Sequence, residues 1–315
     1  MKQLDFWNEI KDNIVKHKKL SLATVFDSDH STPGRQGFKM YVTPDGTVRG
    51  SVGGGLVESM VMAECKTNLK NEKTNNYFKE YKLLGKAEES IGMICNGVQI
   101  IGYVVLEEIH LPLISAIIES MKKHNEGYLQ ITENDFKYIE ESIQKDSFSR
   151  EEFIYSERVG VKNKVYIFGG GHVGLAISRV MSQLDFYVIV IDSRKDVNTL
   201  VENNYADEII IKDFVEAADD VIEDKFSYII IVTPGHVQDK GVLKAVLNKN
   251  VKYIGMMGSA SKVGTLYKEL VSEGINPNYL SRVHSPIGIK IKSETPEEIA
   301  ISIAAEIIGI KNAIK

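Results

Sequence analysis

One short stretch constrains the fold more than any other. The apolar run Lys164–Phe168 stops at Gly169-Gly170-Gly171-His172-Val173-Gly174. Behind it Val173, Ile177, Val180 and Leu184 recur at helical spacing, and a second apolar run, 186–191, ends at Asp192, 23 residues past Gly169. Glycines at this spacing between a strand and a helix, with an acid about 20 residues on, let a backbone come close to a pyrophosphate. Gly169 permits the tight turn, Gly171 leaves room beside the chain, and Gly174 lets the helix lie close to the sheet. The helix N-terminus then offers unpaired N–H groups to an anion. Asp192 would hold a ribose diol, while Arg194 could instead meet a phosphate.

The remainder of the second half extends this unit. Strands are predicted at 208–211, 228–232 and 252–254 with helical patterns between them, which implies a parallel sheet with right-handed crossovers. The fold class is therefore α/β, with a C-terminal Rossmann-type parallel sheet. Thr233-Pro234-Gly235-His236 stands at the end of the strand 228–232, with Asp239 three residues on. Ligands bind at this carboxyl edge of parallel sheets. His236 could donate to a phosphate or shuttle a proton with Asp239 orienting it, or the pair could simply open the next helix. Gly258-Ser259-Ala260-Ser261-Lys262 suits a phosphate at a helix N-terminus, and Ser259 equally suits a plain N-cap. The last helix opens at Thr295-Pro296-Glu297-Glu298, where Thr295 and Glu298 can form a capping box. It runs to Ile310 with apolar residues on nearly every side, so burial all round is expected.

The first half opens with Leu4, Trp7, Ile10 and Ile14 at helical spacing among charges, a helix of the mature fold rather than a signal peptide. A strand at 20–26 and a loop at 27–37 follow, then a hairpin over 38–52 turning at Pro44-Asp45-Gly46. Ser31-Thr32-Pro33-Gly34-Arg35 offers hydroxyls and a guanidinium to an anion. Gly53, Gly54 and Gly55 lead into a helix with Glu58 in its first turn. Three consecutive glycines either leave room for a ligand beside the backbone or make a flexible hairpin exit. Strands are expected at 77–83 and 98–106, a helix at 113–124, and a charged linker over 144–163. Cys95 stands in a turn between Gly92 and Gly97, where a thiol is exposed and reactive, whereas Cys65 falls on a helical pattern as a small core residue. A zinc site is not expected, because no Cys/His cluster has ligand spacing.

With 315 residues, 43% of them apolar, the chain can form two cored domains, placed at 1–150 and 160–315. A net charge of -5 argues against a nucleic-acid partner. Two cysteines point to a reducing, cytoplasmic setting, and no apolar run is long enough for a membrane span.

Short motifs in both halves together resemble the XdhC/CoxI family, the accessory factors of xanthine dehydrogenase and related molybdenum hydroxylases. In the first half these are Leu22-Ala23-Thr24-Val25, Ser31-Thr32-Pro33-Gly34-Arg35, Gly50-Ser51-Val52-Gly53-Gly54-Gly55-Leu56-Val57-Glu58 and Met93-Ile94-Cys95-Asn96-Gly97. In the second they are the 169–174 turn, Asp192-Ser193-Arg194, Thr233-Pro234-Gly235-His236 with Asp239, and Ile254-Gly255-Met256-Met257-Gly258-Ser259. His284-Ser285-Pro286-Ile287-Gly288 and Thr295-Pro296-Glu297-Glu298-Ile299-Ala300 complete the set. The resemblance implies a smaller N-terminal α/β domain of XdhC/CoxI type beside the Rossmann-type one. It implies a chaperone without turnover of its own. Such a protein binds the molybdenum cofactor (molybdopterin) transiently and protects it while a cysteine desulfurase supplies sulfur. It then inserts the cofactor into xanthine dehydrogenase or a related molybdenum hydroxylase. A homo-oligomer is expected. Cys95 matches the family's Cys-Gly-Gly cysteine and becomes the candidate contact for molybdenum or sulfur. Asn96 replaces the first following glycine, and Leu56 stands where many relatives have a second cysteine, so a two-thiol mechanism at those positions is excluded. The competing reading is an NAD(P)-dependent oxidoreductase with His236 as acid/base. A nucleotide-sensing domain would leave the first-half motifs unused.

Overall fold

The structure is a computed structural model that describes residues 3–29, 32–71, 75–83, 97–123, 125–140, 146–160 and 163–313. Ser31, Gly92 and Cys95 lie outside the described residues. The chain divides into two compact units, Met1–Val161 and Lys162–Lys315.

Unit 1 runs α1 (Gln3–His17), β1 (Lys19–Ser28), β2 (Lys39–Val42), β3 (Val48–Gly50), α2 (Gly55–Lys70), β4 (Tyr77–Leu83) and β5 (Gly97–Glu107). It continues with α3 (Leu111–Lys123), β6 (Gly127–Thr132), β7 (Phe136–Ile139), β8 (Ser147–Ser149) and β9 (Ile154–Val159). The first five strands form an antiparallel sheet in the order β3-β2-β1-β5-β4, and the last four a second sheet, β7-β6-β9-β8. β1 is central and buried on both sides. Ala23 and Val25 face Val57, Val61 and Cys65 of α2, while Leu20 and Leu22 share a core with Trp7, Ile10 and Ile14 of α1 and Ile117 of α3. With both faces covered, β1 buries Ser21 and Thr24 along with its apolar residues instead of alternating buried and exposed positions. Leu129, Ile131 and Tyr155 of the second sheet enter the same core. Phe26 stacks on Tyr155 with ring centroids 4.3 Å apart. A Cβ at Gly102 of β5 would lie 1.8 Å from the Phe26 ring, so the glycine makes room for that stack.

The second sheet was not foreseen. Residues 147–149 and 154–159 fall in the stretch read as a charged linker, yet they are strands, and β9 pairs with β6 from Gly127↔Val159 to Thr132↔Ile154. The pairing joins residues 22 to 32 apart in sequence, which local periodicity does not register.

Unit 2 runs β10 (Lys164–Phe168), α4 (His172–Gln183), β11 (Tyr187–Asp192), α5 (Asn198–Val201), β12 (Glu208–Ile211), β13 (Ser227–Ile231) and α6 (His236–Val246). β14 (Tyr253–Met256), α7 (Ala260–Ser272), α8 (Pro277–Leu280), β15 (Val283–His284) and α9 (Pro296–Asn312) follow. Its sheet is parallel, in the order β12-β11-β10-β13-β14-β15. That is the doubly wound 3-2-1-4-5-6 order, with the switch point between β10 and β13. Ile177 and Met181 of α4 and Ile303 and Ile307 of α9 cover one face; Leu243 of α6 and Leu266 of α7 cover the other. The capping box forms as expected: Thr295 accepts from the Glu298 amide and Glu298 from the Thr295 amide. Burial all round α9 does not hold, since Ile301 is 55% exposed and Ile308 37%, because only one side of the helix meets the sheet.

Candidate functional site

The glycine turn sits at the switch point. Gly169 has φ +124°, and a Cβ there would lie 2.3 Å from the Val232 carbonyl at the end of β13. At Gly174 a Cβ would lie 2.0 Å from the Gly169 carbonyl, so helix and turn touch backbone to backbone. Nothing lies within 4 Å of a Cβ built at Gly171, which leaves space before the α4 N-terminus. Asp192 is fully buried and its carboxylate is engaged. It accepts the Gly170 amide at 2.8 Å, the Arg194 amide at 3.0 Å and the Arg194 guanidinium at 2.9 Å to each oxygen. Burial alone would raise its pKa, but Arg194 and the two amides outweigh that and hold it below the usual carboxylate range. Asp192 and Arg194, read separately as ribose and phosphate ligands, thus clasp one another across the turn.

Next to the turn, the ends of β13 and β14 enclose a cleft of about 190 Å³. His236, Asp239, Gly258 and Ser259 line it, as does Lys262. The sequence presented these as two separate motifs; adjacent parallel strands bring them together. Asp239 Oδ1 accepts the Thr233 hydroxyl at 2.6 Å and the Thr233 amide at 3.2 Å, which ties the 233–236 turn to α6. Burial raises the Asp239 pKa, against lowering by the Thr233 bonds and by nearby His236 and Lys262. Ser259 is the N-cap of α7, accepting the Lys262 amide at 3.4 Å. Met256 of the 254–259 motif lines it too, with Val263 and Leu266, which motif reading missed; the only signal of those two was apolar spacing, indistinguishable from ordinary core.

In unit 1 the two first-half loops pack back to back. A Cβ at Gly34 would lie 2.3 Å from the Val52 carbonyl, and one at Gly53 would lie 2.4 Å from the Gly34 amide. Gln99 of β5 anchors them by donating to the Val52 carbonyl at 2.7 Å. Gly53, Gly54 and Gly55 all have positive φ. Glu58 accepts the Gly54 amide at 3.0 Å and the Ser51 hydroxyl at 2.6 Å, and Ser51 accepts the Gly53 amide at 3.1 Å. These donors therefore close the loop on itself. Arg35 donates to the Thr32 and Gly34 carbonyls, holding its own turn. Cys65 is buried, and burial pushes its thiol up to about 12, with Glu64 also raising and Ser21 lowering it. Among the described residues no group of three or more His, Cys, Asp or Glu is placed to hold a metal ion, and no helix is long and apolar enough to cross a membrane.

Comparison with known proteins covers both units. Residues 165–307 match the XdhC Rossmann domain, and residues 15–81 match the XdhC and CoxI family. A probable xanthine dehydrogenase subunit of Bacillus subtilis (strain 168) is 25% identical over 325 residues, covering 93% of each chain. Uncharacterized protein YqeB of Escherichia coli (strain K12) is 25% identical over 295 residues; the match covers 93% of this chain but 43% of that longer relative. A crystal structure named as a xanthine dehydrogenase from Bacillus halodurans shares the fold with a TM-score of 0.80 at 20% identity, over 100% of this chain and 97% of that one. With matches to the family in each half and the fold common to both, this chain belongs to the XdhC/CoxI family.

Proposed function

We propose that this protein binds the molybdenum cofactor as cargo, protects it during sulfuration by a cysteine desulfurase, and delivers it to a molybdenum hydroxylase such as xanthine dehydrogenase. The observation that carries the reading is the cleft beside the switch point, in a chain of the XdhC and CoxI family with one relative named as a probable xanthine dehydrogenase subunit. Its volume of about 190 Å³ falls below the roughly 300–1,000 Å³ of sites that enclose a whole drug-sized ligand. It suits the phosphate end of the cofactor, with Lys262, His236 and the α7 N-terminus as donors and Asp239 holding the 233–236 turn in place. Cys95, carried over from the family resemblance, is the candidate soft contact for molybdenum or sulfur. The reading makes the chain a chaperone without turnover of its own, working in the cytoplasm. The NAD(P) reading is less favoured, because both oxygens of Asp192 are already taken by Gly170 and Arg194 rather than left for a ribose.

The test is a pterin-fluorescence titration of the full chain with isolated molybdenum cofactor. Wild type should bind, and Lys262→Ala and His236→Ala should each bind about tenfold or more weakly, the loss expected of a charge-assisted hydrogen bond. Cys95→Ser should keep most of the affinity but lose reactivation of an apo-hydroxylase. Wild type that ignores the cofactor and binds NADH instead would overturn the proposal.

A further inference from the structure

The parallel sheet of unit 2 ends at β12, which has no further strand beside it among the described residues. The ladder fixes which way its backbone points. The Ile191 carbonyl accepts from Gly169 on the β10 side, whereas the Asp192 carbonyl accepts from Lys212 on the β12 side. Even-numbered residues of β12 therefore face β11, and the amides and carbonyls of Ile209 and Ile211 point outward. Their side chains are also uncovered, Ile209 40% and Ile211 46% exposed. Monomeric proteins protect such an edge with short strands, charges, proline or a bulge; β12 is short and bounded by Glu208 and Lys212, but both of its outward-pointing positions are isoleucine.

The segment Glu208-Ile209-Ile210-Ile211-Lys212 is complementary to itself when run antiparallel about Ile210. Ile209 then falls opposite the partner's Ile211, and the two exchange both outward N–H···O bonds. Glu208 falls opposite the partner's Lys212, which in its own chain already holds Asp220 at 3.0 Å. The next residues out, Asp207 and the partner's Asp213, would repel and end the pairing there. Both carboxylates are satisfied at home, Asp207 by the Val188 amide and Asp213 by the Val215 amide.

We propose that β12 is a homodimer interface, pairing antiparallel with β12 of a second copy of the chain to give one continuous sheet. The pairing rests on this edge alone and is independent of the cofactor reading. The test is sedimentation equilibrium of the full chain at micromolar concentration, with circular dichroism as a check on folding. Wild type should be dimeric. Glu208→Lys and Lys212→Glu should each weaken the dimer about tenfold, since each places like charges opposite one another twice, and the double swap should restore it. Ile209→Pro removes only an outward amide, which an edge strand tolerates, and should give a folded monomer. A monomeric wild type, an unweakened dimer in the folded single variants, or a folded double swap that stays monomeric would each overturn the proposal.

Discussion

The clasp between Asp192 and Arg194 can be tested by Asp192→Ala. The Gly170 amide is buried and would lose its acceptor, a loss of about 1–3 kcal/mol. The Arg194 side chain is 48% exposed and rehydrates when released, so the ion pair itself adds only about 0–1 kcal/mol. The expected sum is about 1–4 kcal/mol, and Asp192→Asn, which keeps an acceptor for Gly170, should lose about half of that. Urea unfolding followed by far-UV circular dichroism measures the loss, and hydrogen exchange of peptides spanning 164–195 localises it. The single tryptophan, Trp7, reports unit 1 separately. The effect depends on pH in a defined direction. The folded state holds the Asp192 pKa below its unfolded value, so the ionised form stabilises the fold. That stabilisation is complete above the unfolded value of about 3.9 and disappears as pH falls through the lower, folded value, so wild type and Asp192→Ala should converge in acid. A loss below about 0.5 kcal/mol at neutral pH, with NAD binding abolished, would refute the clasp and restore Asp192 as a ribose ligand.

Gly169→Ala combines a positive φ with a Cβ 2.3 Å from the Val232 carbonyl, so it should yield a destabilised unit 2 with rapid amide exchange in β10 and β13. Cys65→Ser should cost about 1–3 kcal/mol in urea unfolding, because a hydroxyl replaces a buried thiol among Val57, Val61 and Tyr103, and wild-type Cys65 should resist iodoacetamide at pH 8 until the chain unfolds.

How much could be read in advance varied with how local each signal was. The strand, turn and helix at 164–183 were legible because Gly174 answers to Gly169 five residues before it and Gly169 to the adjacent strand end. The Thr295–Glu298 box and the buried Cys65 were legible for the same reason. Pairing of β6 with β9 was not, because it joins distant segments carrying Glu157 and Arg158 within a strand. Nor could the sequence separate ligand-binding polar groups from those that bind the chain itself. Glu58, Arg35, Asp192 and Arg194 have the chemistry of ligand contacts, and the structure gives each a partner within its own loop or turn. Sequence by itself therefore determined the parallel α/β half, the position of its glycine turn and the residue types available there. Only the tertiary structure decided that His236 and Lys262 share one cleft and that Ile209 and Ile211 turn their amides outward. Those outcomes depend on strand order and on which way each backbone faces, and both are set by contacts between segments far apart in the chain.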